Sequence, residues 1–540
     1  MKKMVTLSTQ STKNRKMKRV LLIFAIVLLS QLPMTAGIRG DVNGDGRINV
    51  SDVTALINDI LGTEVLDEEV TDVNGDGQVN VSDVTDLINR ILNGIVEKTG
   101  YDYVWDYDAT TLPELHITVS VAEWNRLLTL YDANHHTKQY IVAKQATFVK
   151  DGETTVIDSI GLRLKGNTSR RRPEGWGGGW LHQTDNADWH HVHFGINLRK
   201  YVKDDEHTIQ GVRKLHLKWF KDDPMMVREV YCYDLFRRFG LWTAADDTYC
   251  RLWIHVDCDK EPAYYGVYEM IEPVDENFLK RRKDEAHFGT AKGNLWKCKY
   301  VNGMANLANP YNADYWYDDD SDENHTYTLQ TNTKRFDNAK AQLTDFMLKL
   351  NGKGNESFYQ WIHEVCDVDL LLKTYAMSVA LGQWDDYWNN GNNYYLYFTT
   401  EDLYDYKFYL IPYDYDNTLG TTNNCGVQTD AGRHDPTNWG LSEHKLIKRL
   451  MDFDDLRAKY VAYLKEIVAE ESRLLHYDAS KPRIEAWHDM IRDYVENDTG
   501  EDMEIRDEPA GWGNHGEYRL LEDGANNFLR VHAATINALQ

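Results

Sequence analysis

Residues 407–416 read KFYLIPYDYD, an apolar run that ends in two carboxylates, Asp414 and Asp416. The run of aromatic and aliphatic side chains predicts a buried β-strand. Residues two apart on a strand point to the same face, so Asp414 and Asp416 can share a cation. Carboxylate oxygens are ligands that Mg²⁺ and Mn²⁺ accept in proteins. The stretch therefore predicts a strand whose two terminal carboxylates can hold a cation.

A second polar segment precedes this strand. Residues 384–397 read WDDYWNNGNNYYLY, in which Asp385 stands eight residues before Asn393 and a further strand, YYLYF, follows. An Asp, then an Asn, then a strand that leads to more carboxylates is the order of catalytic loop and metal-binding segment in kinase-like folds. The two segments together favour phosphoryl-transfer chemistry.

Phosphoryl transfer also needs positive groups near the phosphates. Residues 160–169 read IGLRLKGNTS, where Arg163 and Lys165 lie on a predicted strand that opens into a turn at Gly166. Such a strand can present both charge and backbone N–H groups to phosphate. The segment is not a Walker loop, because the GxxxxGK[ST] pattern is absent from the sequence.

Further segments follow one another along the chain. They are HFGINLRKYV (193–202), GVRKLHL (211–217), DDPMMVRE (222–229), YYGVYEMIEPVD (264–275), NLWK (294–297), IPYDYDNTLG (411–420) and NFLRVHAATINALQ (527–540). In this order, and with the segments above, they resemble the spore coat protein H family, called CotH kinases, over roughly residues 113–540. The resemblance implies an α+β fold: a two-lobed, atypical protein-kinase-like domain of a secreted protein.

The resemblance also assigns roles to residues of this chain. Asp385 would accept or orient the proton of the acceptor hydroxyl, and Asp386 competes for that role. Asn393 would bind metal with Asp414 and Asp416. The candidate nucleotide-binding residues are Arg163, Lys165, Lys218, Arg228, Glu272 and Lys297.

One position departs from the family pattern. Relatives are expected to carry lysine within the segment that matches HFGINLRKYV, where this chain has Gly195. Lys165, Lys200 or Lys218 would have to replace that lysine. Without a replacement, ATP would bind poorly and the domain would be a pseudokinase.

Two matched loops lie near the N-terminus. Residues 41–52 read DVNGDGRINVSD and residues 72–83 read DVNGDGQVNVSD, which is a tandem repeat. Side-chain oxygens at positions 1, 3, 5, 9 and 12 and a backbone carbonyl at position 7 can bind Ca²⁺, and glycine at position 6 permits the sharp turn. The predicted ligands of the two Ca²⁺ sites are Asp41, Asn43, Asp45, Arg47, Asn49 and Asp52, then Asp72, Asn74, Asp76, Gln78, Asn80 and Asp83.

Each loop runs into an amphipathic helix, VTALINDILG or VTDLINRILNG. The loops differ from an EF-hand, because position 12 is Asp and no regular helix precedes the first loop. Residues 40–94 resemble a type I dockerin, which implies a small all-α module with two calcium loops that binds a cohesin-like module. The resemblance assigns partner choice to Val50, Ser51, Val81 and Ser82. The alternative is a calcium-stabilised spacer that binds no partner.

The N-terminal residues have the pattern of an export signal. Lys16, Lys18 and Arg19 precede an apolar run over 20–29, and a small-residue zone follows at 35–37. The run of about ten residues is short for a bilayer span, so a retained signal anchor is the weaker alternative. We predict a signal peptide at 1–37 with Met17 as an alternative start, a dockerin-like module at 38–96, a linker at 97–112 and the CotH-like domain at 113–540. The protein is expected to be secreted or at the cell surface.

Composition narrows the possible partners. The formal net charge of −25 disfavours nucleic acid, because nucleic-acid binders usually present a basic face. Hydrophobic residues make up 42% of the chain, as in globular proteins. The 6 cysteines form no CxxC pair, which disfavours a zinc site.

The sequence supports two classes of function. The first is an exported atypical protein kinase, docked to a cohesin, that transfers the phosphoryl group of ATP to Ser or Thr of surface or secreted proteins. The second is a non-catalytic CotH-like binding or adhesion module of a cellulosome-like complex, in which Trp side chains stack on polysaccharide. A glycoside hydrolase is weaker, because no local pattern fixes an acid and a nucleophile at glycosidase spacing.

Overall fold

The structure is a computed structural model. It describes residues 42–43, 50–63, 68–73, 78–93, 101–105, 112–318, 324–421, 430–501, 504–511 and 516–540. The predicted signal peptide, residues 1–37, lies outside these ranges, as does most of the predicted linker. Every helix within them is too short or too polar to cross a bilayer. The chain divides into two compact units, residues 1–99 and 100–540.

In the first unit, the described residues form helices α1 (Val50–Ile60), α2 (Glu68–Thr71) and α3 (Val81–Asn93). A small core holds them together, in which Leu56 and Leu87 are fully buried beside Val42 and Val73. α1 and α3 each place one apolar face on this core, as their amphipathic sequences predict.

The second unit begins with α4 (Tyr101–Val104) and a closed barrel. Its strands are β1 (Glu114–Val119), β2 (Ile141–Lys150), β3 (Glu153–Lys165), β4 (His193–Asn197), β5 (Lys214–Lys218), β6 (Asp247–Val256) and β7 (Ala263–Ile271), in the spatial order β1-β2-β3-β4-β5-β7-β6. β6 and β1 pair in parallel and close the barrel, whereas the other neighbours are antiparallel. Alternate residues of β1 fill the interior, and α5 (Val121–Ala133) packs outside β2.

A second sheet has the strand order β12-β11-β8-β10-β9. These strands are β8 (Asn294–Cys298), β9 (Tyr315–Tyr317), β10 (Tyr327–Leu329), β11 (Tyr394–Phe398) and β12 (Phe408–Pro412). The other helices of this unit are α6 (Arg228–Arg238), α7 (Glu276–Arg281), α8 (Phe336–Gly352), α9 (Asn355–Val365), α10 (Val368–Ala380), α11 (Lys445–Met451), α12 (Asp454–Val468), α13 (Tyr477–Ile491) and α14 (Phe528–Asn537). Of these, α8 packs against β9 and α10 packs against β12. The mixture of helices and sheets makes this unit α+β.

α10 directly precedes a segment of the candidate site, and most of its residues are buried. The side chain of Asp367 caps its first turn by accepting from the N–H of Leu370. The helix ends at Ala380, and Gly382 just beyond it has a φ of 71°, a left-handed value that glycine adopts without strain. The chain then turns directly into the polar segment that begins at Gln383.

The strand predicted over 407–416 is shorter than expected. β12 ends at Pro412, and Asp414 has a φ of 65° in the loop beyond it. The two carboxylates therefore do not share a strand face. The loop conformation brings them together instead.

Candidate active site

Lys218, the last residue of β5, lies at the centre of a cluster of carboxylates. Its ammonium forms a short ion pair with Glu229 in the first turn of α6. It also donates to Asp414 Oδ1 at 2.6 Å and lies 3.8 Å from Asp416 Oδ2. Lys218 is only 7% exposed and Glu229 only 2%, so water screens their pairing little.

The start of α6 is fixed by a buried network. The carboxylate of Asp223 accepts from the backbone N–H groups of Met225, Val227 and Arg228. Glu229, one residue into the helix, accepts at Oε1 from the N–H of Tyr415 at 3.2 Å. Glu229 therefore connects the start of α6 to the carboxylate loop, the segment 413–416 that follows β12 and contains Asp414 and Asp416.

Glu229, Asp414 and Asp416 each offer one oxygen, and these oxygens all lie within 4.8 Å of one another. Burial alone would raise the pKa of Asp414, but the Lys218 ammonium lowers it to about 2. Burial and the neighbouring charge of Asp414 raise the pKa of Asp416 well above its usual range. A divalent cation would relieve this repulsion, and oxygen ligands are those that Mg²⁺ and Mn²⁺ accept. The donor set therefore fits such an ion.

Further cations lie beside the carboxylates. Lys165 donates to the hydroxyl of Tyr413 at 3.1 Å, and Lys297 lies 5.4 Å from the centre of the same ring. Burial, with the neighbouring ammonium groups of Lys297 and Lys218, lowers the pKa of Lys165 to about 7. An anion such as phosphate would stabilise these crowded ammonium groups in their charged form.

The structure explains how the chain accommodates Gly195. A side-chain carbon at this position would lie 3.3 Å from Nε of Arg163, so the side chain of Arg163 occupies the space beside Gly195. Of the three lysines proposed as replacements, Lys165 and Lys218 belong to the cluster around Asp414. Lys200 instead lies over the ring of Tyr140, at 4.8 Å.

Asp385 is held by three asparagine amides. Asn390 and Asn392 donate to its Oδ1 at 2.8 and 3.1 Å, and Asn393 donates to its Oδ2 at 3.1 Å. Burial raises the pKa of Asp385 to about 6, although these amide donors oppose the shift. Asn393 has a φ of 51°, an uncommon value for a residue with a side chain. The structure thus brings two predicted site residues, Asp385 and Asn393, into direct contact.

Gln383 joins the two halves of the site. Its Oε1 accepts from the N–H of Asp385 at 3.0 Å, and its Nε2 donates to the backbone carbonyl of Asp414 at 3.0 Å. The side chain is fully buried. Sequence reasoning missed Gln383, because a lone glutamine after a helix carries no recognisable signal. It also missed Glu229, whose only signal was its place at the end of the DDPMMVRE segment.

Asp386 occupies a different environment from its neighbour. Its Oδ1 accepts from the N–H of Trp388 at 2.9 Å, and its side chain is almost completely buried. Burial raises the pKa of Asp386 well above its usual range. Its contacts stabilise the turn and do not reach the other predicted site residues within the described part of the chain.

Two predicted nucleotide-side residues belong to other networks. Arg228 forms a buried ion pair with Asp223 and donates to the carbonyls of Thr418 and Glu508. Glu272 is fully buried, and its two oxygens accept from Arg281 at 2.9 Å and Arg282 at 3.0 Å. The structure does not bring these two side chains into contact with the Lys218 cluster.

The described part of the calcium loops shows how each loop closes on its helix. The backbone N–H of Asn43 donates to Asp52 Oδ1 at 3.1 Å, and that of Asn80 donates to Asp83 Oδ2 at 2.8 Å. Asp52 and Asp83 are fully buried. Asp72 and Gln78 also lie within the described residues. The remaining predicted ligands, Asp41, Asp45, Arg47, Asn49, Asn74 and Asp76, lie outside them.

The predicted docking positions lie at the starts of α1 and α3. Ser51 and Ser82 are exposed, and Val81 is 68% exposed. Val50 is the first residue of α1. Ile57 and Ile88 are also large apolar side chains with substantial exposure. The surface that a partner would contact is therefore partly apolar.

The protein is therefore modular. Its α+β unit carries an acidic site whose donor set fits a divalent cation, and its N-terminal unit carries two loops of the calcium-binding type. A family model described as CotH kinase protein matches residues 162–526, and one described as Dockerin type I domain matches residues 39–92. The chain therefore belongs to the CotH kinase protein family and carries a type I dockerin domain upstream. No curated protein matches this chain.

The dockerin implies bound Ca²⁺, and the core of the first unit is small. We expect the segment 38–96 to gain helix when Ca²⁺ is added and to lose it with a chelator. The reason is that Ca²⁺ binding supplies folding free energy that the small core formed by the described residues of this unit does not supply alone. Far-UV circular dichroism measures this change. An Asp52→Asn, Asp83→Asn double variant lacks one predicted carboxylate ligand in each loop. It should need a higher Ca²⁺ concentration to gain the same helix. Identical spectra with and without Ca²⁺ would contradict the prediction.

Proposed function

We propose that residues 113–540 form an atypical protein kinase with a two-lobed kinase-like arrangement, which transfers the γ-phosphoryl group of ATP to Ser or Thr hydroxyls of secreted or surface proteins. The observation that carries this proposal is the position of Lys218, which bonds both Glu229 on a helix and Asp414 in the carboxylate loop. Kinase-like phosphoryl transfer uses a lysine paired with a helix glutamate, together with a metal-binding aspartate.

Each remaining group has a role in this proposal. Lys218, Lys165 and Lys297 supply positive charge to the phosphates. Asp414, Asp416 and Asn393 hold Mg²⁺ or Mn²⁺, which neutralises charge on the phosphates when bound. Asp385 accepts or orients the proton of the acceptor hydroxyl. Gln383, which is hydrogen-bonded to the backbone of both residues, holds Asp385 at a fixed position relative to Asp414.

We further propose that the protein works outside the cell. Dockerin and CotH domains together favour a secreted or cell-surface protein, and the N-terminal pattern of residues 1–37 supports export by a signal peptide. The dockerin would attach the kinase-like domain to a cohesin-like module. The strongly negative net charge argues against nucleic acid as a partner.

The direct test is transfer from radiolabelled ATP. The chain without residues 1–37 is incubated at constant Ca²⁺ with Mg²⁺ or Mn²⁺ and with protein acceptors rich in Ser and Thr. The proposal expects labelled acceptor in the presence of either ion and none with Ca²⁺ alone. Absence of both ATP binding and transfer with every divalent ion would overturn it.

A second candidate is a non-catalytic binding module for polysaccharide. It is favoured by the loop 174–182, which carries Trp176 and Trp180 at 78% and 42% exposure. Exposed aromatic rings are suited to stacking on sugars. Retention of the chain on insoluble polysaccharide, lost in a Trp176→Ala, Trp180→Ala variant, together with no ATP binding, would favour this function.

Partner choice gives a prediction about the dockerin. If two matched docking surfaces bind a cohesin-like module in alternative orientations, charged residues at Val50 and Ser51 alone should leave affinity almost unchanged. Changing Val81 and Ser82 as well should abolish binding, because no orientation remains. Isothermal titration against a panel of cohesins measures this. A large loss of affinity when only one of the two loops is changed would contradict the two-orientation hypothesis.

A further inference from the structure

A second group of ligand-type side chains lies on the barrel, apart from the residues of the Lys218 cluster. His182 follows the glycine-rich loop, and Cys258 and Asp259 form part of the turn between β6 and β7. The Nε2 of His182 is 3.0 Å from Oδ1 of Asp259, and Sγ of Cys258 is 3.9 Å from the same oxygen. The three ligand atoms all lie within 4.8 Å of one another.

The histidine is oriented by a buried carboxylate. Glu174 Oε2 lies 2.8 Å from Nδ1 of His182, and both side chains are completely buried. The indole N–H of Trp124 donates to the same oxygen at 2.5 Å. When Nδ1–H donates to Glu174, the lone pair of Nε2 points towards Cys258 and Asp259. A carboxylate behind a histidine is the usual support for a metal-binding imidazole.

The charges around His182 favour a cation. Glu174 and Asp259 are both carboxylates, and Glu174 lies fully inside the protein. Its second oxygen, Oε1, is also buried and has no hydrogen-bond partner among the residues that the structure describes. A buried carboxylate with one unpartnered oxygen is costly unless positive charge lies nearby.

We propose that His182, Cys258 and Asp259 bind a divalent transition metal of the Zn²⁺ type, with Glu174 as the positioning residue. Imidazole, thiolate and carboxylate are all ligands of Zn²⁺, and a tetrahedral ion holds such atoms roughly 3.5 Å apart. The distances from Asp259 Oδ1 to His182 Nε2 and to Cys258 Sγ, 3.0 and 3.9 Å, lie on either side of that value. Binding releases the thiol proton of Cys258 and leaves Nε2 of His182 unprotonated.

Cys258 is exposed, so solvent can supply the fourth ligand. The ion would join two segments that the chain separates by 77 residues, the base of loop 174–182 and the β6–β7 turn. Positive φ values at Gly175 and Gly178 give this loop backbone freedom that a crosslink at its base would limit. The ion therefore would act as a clamp on the loop that carries the exposed Trp176. The absence of a CxxC pair concealed the site in the sequence.

Cobalt provides the test, because a thiolate bound to Co²⁺ gives an intense near-ultraviolet charge-transfer band. The full chain is titrated with Co²⁺ at saturating Ca²⁺, in a Cys425→Ser background that removes the cysteine outside the described residues. We expect the band to saturate at one equivalent. Cys258→Ser should abolish the band, and His182→Gln should weaken Co²⁺ binding by about a hundredfold. His116→Gln on the same barrel is the matched control and should leave both unchanged.

A second measurement does not depend on the buried histidine. Zn²⁺ should slow alkylation of Cys258 by iodoacetamide at least tenfold and should slow chymotrypsin cleavage after Trp176 and Trp180. Asp414→Asn should not change either effect, which separates this site from the proposed kinase site. A missing cobalt band in the parent chain, a band that survives Cys258→Ser, or alkylation unaffected by Zn²⁺ would overturn the proposal. In that case a proton on Nε2 of His182 bridges the two carboxylates.

Discussion

Asp385→Asn is expected to lower phosphoryl transfer by about a hundredfold or more while leaving the fold intact. The amide oxygen of the new side chain can still accept from Asn390 and Asn392, as Oδ1 of Asp385 does. The bond between Oδ2 and Asn393 would be lost, at a cost of about 1 kcal/mol in the free energy of unfolding. The amide has no carboxylate to accept or orient a proton, so kcat should fall while KM for ATP changes little.

Asp386→Asn is the matched control for this experiment. The neighbouring carboxyl group of Asp386 is buried and accepts from the N–H of Trp388, and an amide oxygen can make that bond equally well. We expect the control to retain most of the transfer activity. Steady-state kinetics with radiolabelled ATP and circular dichroism compare the two variants. If Asp386→Asn were inactive and Asp385→Asn active, the catalytic carboxylate would be Asp386 and the assignment of Asp385 would be wrong.

Local sequence patterns were sufficient for much of the architecture. The apolar run KFYLIPYDYD predicts a strand, and β12 forms within it because its side chains fill the core. The helices that begin at Val50 and Val81 follow from amphipathic sequences next to calcium-type loops. Family membership follows from the ordered set of segments, and the family match confirms it.

The chemistry of the site depends on contacts that no local pattern records. Lys218 and Asp414 are 196 residues apart, yet they are joined at 2.6 Å by the way β5 and the loop after β12 meet. Asp414 and Asp416 were expected on one strand face, but the strand ends at Pro412. The two carboxylates approach each other because Asp414 has a left-handed backbone conformation in the loop that follows. Arg228 was predicted to bind the nucleotide, but its side chain is buried in an ion pair with Asp223, a contact that the local sequence does not indicate.

Lys218→Met is the change with the largest expected effect on both stability and activity. The methionine keeps an unbranched side chain of similar length but leaves the buried Glu229 without its cation. Removing one partner of a buried ion pair costs about 3–5 kcal/mol. We expect urea unfolding to show a loss of this order, and we expect transfer to fall below detection because no ammonium joins Glu229 to Asp414. Lys200→Met, whose lysine lies over the ring of Tyr140, is the control and should stay within about 0.5 kcal/mol of the parent chain.

A double variant separates the two consequences. In Lys218→Met, Glu229→Gln, the unpaired charge is gone, and the amide oxygen can still accept from the N–H of Tyr415. Stability should therefore recover by about 2 kcal/mol or more relative to Lys218→Met, because the penalty of an isolated buried charge is removed. Transfer should stay absent, since the phosphates still lack the ammonium group. Recovery of transfer together with stability would show that Lys218 supports the fold alone, and the proposed role of this lysine in phosphoryl transfer would be wrong.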